Sequence, residues 1–276
     1  MLRPLLSWWL IVVVSGGVYA ASLLFLQKQR YATAAPELLV SMPRFAQILF
    51  FAGDRYLAAN IGGFRVLVAE TSRMKAADYV VQARLQSDIA WFNPAHEDNY
   101  YIAANILPWG GQADVVAVTE EILRKAGAAR PYDFLPYFHV GFIQYHFHRS
   151  PAEGAKWLLA AAEQTTDQQD KWSLQAVAAK WIERGYETAA AASLVDAMAI
   201  SAPAGGFRSY LQMRAERLRL LADLRTAAWE FRSRHDRAPQ RFEDLMRDGL
   251  IRELPKDPLG VGFVIDPDGE PSFVGR

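Results

Sequence analysis

The chain has 276 residues, 51% of them hydrophobic, with 30 basic against 30 acidic side chains and no cysteine. That length allows one long domain or two small ones. Balanced charge gives no electrostatic reason to seek nucleic acid, and the lack of cysteine excludes disulfides, zinc–thiolate sites and a cysteine nucleophile.

The apolar excess is concentrated at the amino terminus. Leu5 to Leu26 reads LLSWWLIVVVSGGVYAASLLFL, 22 residues without a charge, about 33 Å as a helix and the thickness of a bilayer core. Trp8 and Trp9 stand near one end, and Lys28, Arg30 and Tyr31 just beyond the other, as interfacial residues do. The segment predicts a transmembrane helix within an anchor over residues 1–30, with bilayer contact through residues 5–26. Two other readings stand beside it. One is a buried core helix; the other is a signal peptide cleaved after Val18-Tyr19-Ala20. Apolar character continues past that cut through Leu23-Leu24-Phe25-Leu26, which favours the retained anchor. Beyond residue 30 the count is 27 basic against 30 acidic, so the body is slightly acidic. The local basic residues alone lean toward a cytoplasmic body.

Residues 31–92 read as a connector and leading helices. Pro43 can open a helix carrying Phe45, Ile48, Leu49 and Ala52, interrupted at Gly53-Asp54. An apolar-periodic stretch runs from Tyr56 to Trp91. Within it Gly62 and Gly63 mark either a close helix crossing or a break, since each costs about 1 kcal/mol against alanine in a helix. Asn93-Pro94 ends the segment.

Residues 93–206 predict three antiparallel helical pairs. The first is Glu97–Trp109 and Ala113–Ala126 around Gly110-Gly111. The second is Tyr132–His148 and Ala152–Gln164 around Ser150-Pro151. The third is Lys171–Arg184 and Glu187–Ala199 around Gly185. A step of about 37 residues relates them: Tyr100, Tyr137 and Leu174; Ala103, Val140 and Val177; Ala104, Gly141 and Ala178. Such a period marks stacked units rather than one globular core. The small residues admit a neighbouring helix, and the large ones four positions earlier fill the groove on the same face. Trp157 and Leu194 share an offset in the returning helices, as do Leu123, Ala160 and Ala197. Two positions break the pattern: Glu120 stands where Trp157 and Leu194 predict an apolar residue, and Gln144 stands between Leu107 and Trp181. On these positions the stretch from Asn93 to Ala199 resembles tetratricopeptide-repeat (TPR) proteins. The segment with Gly53-Asp-Arg-Tyr, Gly62-Gly-Phe-Arg and Asn93-Pro resembles the leading part of bacterial membrane-anchored TPR-like proteins.

Residues 207–276 predict a long capping helix, Phe207–Arg234, and a small α+β tail. The register continues in Leu211, Ala215 and Leu218, and the interleaved arginines and acids of the helix read as a solvated, salt-bridged face. Phe242, Leu245 and Met246 form one face of a short helix ending at Gly249. Pro255-Lys-Asp-Pro-Leu-Gly260 is a turn, and Asp266-Pro-Asp-Gly269 turns a hairpin between Val261–Ile265 and Pro271–Val274. This order resembles the tail of type II secretion major pseudopilins, whose similar loops bind calcium. The resemblance makes Asp266 and Asp268 metal candidates, although a plain Asp-Gly hairpin turn explains them without one.

No nucleotide-binding loop, nucleophile elbow or His-Glu-x-x-His pattern is present. His139 and His146 share a face of one predicted helix, seven residues apart, which is not metal-ligand spacing. The expected class is therefore mainly α: a transmembrane helix, an antiparallel TPR-like stack and a small tail. The expected role is not an enzyme and needs no cofactor. It is a membrane-anchored scaffold that holds a protein partner on its repeat surface, with Tyr101, Asn105 and Trp109 as the partner-binding face. The resemblances imply a bacterial inner membrane, a single-pass topology, a periplasmic body and a secretion or pilus-type assembly. The alternatives are a structural subunit assembled through the tail, and a metal-dependent enzyme using the His139/His146 helix.

Overall fold

A computed structural model of the chain describes residues 12–22, 42–69, 71 and 74–275. The chain is mainly helical, with one two-stranded sheet among the described residues. The described part of the predicted span is α1, residues 12–22, exposed along its whole length. No helix among the described residues is long and apolar enough to cross a membrane. This corrects the predicted transmembrane helix and the predicted single-pass inner-membrane placement. A run without charge is not by itself a span: Ser15, Gly16 and Gly17 interrupt the apolar centre of this one. Residues 5–11 and 23–26 lie outside the described residues.

α2 (Arg44–Phe50) leads into α3 (Arg55–Leu67), which Asp54 caps by accepting from the N–H groups of Tyr56 and Leu57. α3 pairs with α4 (Ala76–Phe92), a helical pair ahead of the three expected ones. Gly62 and Gly63 lie inside α3 and mark close approaches, not a break. A Cβ at Gly62 would stand 2.9 Å from Ile89 Cγ1, and one at Gly63 2.9 Å from His96 Nε2.

The three expected pairs follow within a few residues of their predicted bounds. α5 (Glu97–Ile106) ends in a 3-10 turn (Leu107–Gly110) and meets α6 (Ala113–Ala129). α7 (Leu135–His146) meets α8 (Pro151–Gln164), and α9 (Gln168–Gly185) is followed by α10 (Thr188–Ser201). Glycines set the α7–α8 crossing: a Cβ at Gly141 would lie 3.0 Å from the Gly154 carbonyl oxygen, and one at Gly154 3.0 Å from that of Gly141. The backbones also run close between α8 and α9 and between α10 and α11 (Gly206–His235), and less close between α9 and α10. The third pair is thus shared with its neighbours rather than closed on itself. This leaves Ala197 exposed and Ala160 only half-buried, although Leu123 at the same offset is buried.

Three core clusters succeed one another along the chain: Ala58 to Phe92, Ala83 to Ile143, and Ala155 to Phe273. The last includes the tail. α12 (Phe242–Arg247) supplies Phe242 and Leu245; β1 (Phe263–Ile265) and β2 (Pro271–Phe273) supply Phe263 and Phe273, facing each other in an antiparallel register. The arginines of α11 form the predicted solvated, salt-bridged face only in part: Arg219 and Arg234 are exposed and pair with Glu216 and Glu230, while others turn inward. Arg217 is buried over the Phe273 ring at 3.8 Å and donates to Asp257 at 3.0 Å. Arg225 donates to the Pro271 carbonyl, and Arg232 to that of Asp268. Arg214, also buried, pairs with Glu183 on α9. These arginines fasten the tail and α9 to the long helix.

Candidate partner-binding surface

The predicted face on α5 is open. Tyr101 is 54% exposed and Trp109 64%, with Asn105 exposed between them. Asn105 donates from Nδ2 to the Tyr101 carbonyl at 2.8 Å, so its carbonyl oxygen is the end available to a partner. Tyr101 and Trp109 each meet a ring contributed by α7 or its C-terminal end. The Tyr101 ring lies 6.4 Å from His139, and the Trp109 ring 5.3 Å from Phe147, both edge-on. Both pairs advance by the same eight positions, so the two segments run alongside each other at this face.

From Trp109 the aromatic contacts continue. Phe147 meets Phe142 at 6.5 Å, Phe142 meets His146 at 4.2 Å, and His146 meets Tyr145 at 5.0 Å. Tyr145 stacks on Trp181 of α9 at 4.4 Å, and Arg184 donates to the Tyr145 hydroxyl. The ribbon therefore crosses three successive leading helices and ends at a basic side chain. Beside that end is a cleft of about 260 Å³ whose lining includes Lys180, Arg184, Arg214 and Phe273. Half-buried Phe142, Tyr145 and Trp181, and exposed His146 and Arg184, were not legible as members of this row in the sequence. The one available signal was Gln144, the polar break in the register one position before Tyr145.

The three histidines of α7 and its end go separate ways. His139 points its Nδ1 at the Leu135 carbonyl, 2.8 Å away, and burial pushes the ring below its ordinary pKa. His146 is exposed within the aromatic ribbon. His148 reaches across to α6, where its Nε2 lies 2.8 Å from Glu120 Oε1. No group of three or more metal-ligating side chains converges among the described residues.

Glu120 is buried and fully occupied. Gln144 donates to the same Oε1 at 2.8 Å, and Arg124 donates to Oε2 at 2.6 Å. The two residues that break the repeat register are thus bonded to each other across the α6–α7 contact. Below α5, Asp133 accepts from the Tyr100 hydroxyl at 2.6 Å and from Arg130 at 2.8 Å. Burial alone would raise the Asp133 carboxyl, but these two donors hold it below the usual carboxylate range. The same burial and the neighbouring carboxylate push the Tyr100 phenol up. Both clusters brace the helices beneath the ribbon.

Asp266 and Asp268 lie in the hairpin turn. Asp266 Oδ1 accepts from the backbone N–H of Asp268 at 3.0 Å and of Glu270 at 2.9 Å. Its carboxylate is used in closing the turn, as an Asp-Gly hairpin requires. No family model, curated protein or solved structure matches this chain.

Proposed function

We propose that the chain is a protein-binding scaffold that holds a partner segment across the aromatic ribbon of α5, α7 and α9. One observation carries this reading: Tyr101 and Trp109 stand exposed, and ring contacts run on from Trp109 through half-buried Phe147, Phe142 and Tyr145 and exposed His146 to half-buried Trp181 on α9. Exposed aromatic side chains continuous with a half-buried aromatic row are a mark of interaction sites. Tyrosine and tryptophan at the centre of such a patch contribute most of the binding energy in known interfaces. The helix–turn–helix units and their close glycine crossings support the TPR-like reading of residues 93–206. The hairpin closed by Asp266, and the turn held by Asp257, support the pseudopilin-like reading of the tail.

The test is photocrosslinking from position 109, with a photoreactive phenylalanine analogue replacing Trp109. The expected result is one dominant adduct that falls at least tenfold when Tyr145→Ala is added, with the helical circular dichroism unchanged. Equal adducts from the exposed position Glu121, on α6, would mean that the ribbon does not select a partner.

A further inference from the structure

α3 is apolar on both sides. Ala58, Ala59, Gly62, Gly63 and Val66 are buried. On the opposite side Leu57, Ile61, Phe64 and Val68 are 43–63% exposed. A helix apolar all round is a buried helix, yet α3 has only 13 residues and is too short for a bilayer core. The exposed positions advance by four, three and four residues. This is the alternation of a coiled-coil seam, a stripe that packs against another helix. Leu67 on α3, and Phe45, Leu49 and Phe50 on α2, add to this apolar exposure, each at least 65% exposed.

We propose that this face is an interface between two copies of the chain, with α3 packed antiparallel on α3 of the second copy. The stripe is self-complementary about a two-fold axis between residues 62 and 63. That axis sets Leu57 against Val68 of the other copy, and Ile61 against Phe64. Both are the mixed layers that an antiparallel seam requires. The stripe holds no charge, and Arg65 is the one charged residue in α3 after Arg55. Nothing along the seam therefore encodes a distinct partner in the way that flanking charges do. The eight side chains named, at roughly 100 Å² each, supply about 800 Å² per copy, the size of a standard stable interface.

The full chain has no cysteine, so introduced thiols report without background. Leu57→Cys and Val68→Cys chains, mixed and oxidised, are expected to form a covalent dimer. Each alone is expected to give less than a tenth of it, because like positions then lie about 16 Å apart along the axis. Sedimentation equilibrium of the unaltered full chain is expected to give a dimer, and Ile61→Arg a monomer. Efficient Leu57→Cys self-crosslinking would overturn the antiparallel arrangement. A monomeric unaltered chain, or one whose crosslink disappears on adding phosphatidylcholine vesicles with which it floats, would overturn the proposal and assign the face to another occupant.

Discussion

Glu120 and Gln144 show how two residues that look wrong singly are right together. Each interrupts an apolar register, and each is the other's partner at 2.8 Å. Removing one strands the other: Glu120→Ala is expected to cost about 1–2 kcal/mol, because half-buried Gln144 loses its acceptor. Replacing both by leucine is expected to recover all but about 1 kcal/mol, since an apolar pair needs no hydrogen bonds and Arg124 and His148 can turn to water. Urea unfolding of the single and double variants measures both values. Asp257 is a second such residue. Burial would raise its carboxyl, but the Gly262 and Leu259 N–H groups and Arg217 hold it below the usual carboxylate range. A carboxyl lowered in the folded state adds stability that is complete above its unfolded value, about 3.9. That stability is lost as pH falls through the lower folded value. Asp257→Asn is therefore expected to lower the melting temperature at neutral pH and to flatten its decline below about pH 4, read by thermal scans across the acid range.

At the scale of elements, glycine positions divide by what surrounds them. A Cβ at Gly185, the end of α9, would lie 2.4 Å from the backbone nitrogen of Ala152 on α8. Backbone cannot rotate aside, so Gly185→Ala is expected to destabilise by about 2 kcal/mol or more. Gly206 opens α11 with nothing near its would-be Cβ. The same change there is expected to stabilise by up to about 1 kcal/mol, the ordinary helix gain. Chemical denaturation of the two variants should give opposite signs. Element bounds from α5 to α12 were legible because turn residues and apolar periodicity agree there. The step of 37 residues located Tyr100, Gly141 and Ala178 in the core. It failed for Ala197, because a period in sequence says which residues correspond but not which neighbour a helix packs on, and α10 lies closer to α11 than to α9. The aromatic ribbon was legible only at Tyr101, Asn105 and Trp109. Phe142, Tyr145 and Trp181 are chemically identical to core aromatics, and only packing leaves them half-buried rather than enclosed. At the amino terminus, the count of uncharged residues outweighed the glycines and serine within the run.

For the whole molecule, the tail decides how far the stack stands alone. Phe242, Leu245, Phe263 and Phe273 belong to the same core cluster as Leu218, Leu221 and Leu224 of α11. Arg217 is held between Asp257 and the Phe273 ring. Removing residues 237–276 would uncover that face of α11 and leave buried Arg217 without its carboxylate. Loss of a buried pair's partner alone costs about 3–5 kcal/mol. The truncated chain is expected to lose the cooperative unfolding of α9–α11 while the glycine-locked pair α7–α8 persists, seen as a broadened or split calorimetric transition. Loss of a binding partner on such truncation would therefore report lost folding as much as a lost contact.

The placement of β1 and β2 also orders events in time. They are made after every helix they cover, and 38 residues separate His235 from Phe273. At about 5–20 residues per second, the finished α11 waits roughly 2–8 s on the ribosome for its lid. During that interval the side of α11 that the tail covers, with its arginine Arg217, has no native cover. A growing polypeptide of this design exposes the tail-facing side of α11 to chaperones while β1 and β2 are still being made, although its earlier helical pairs are already complete.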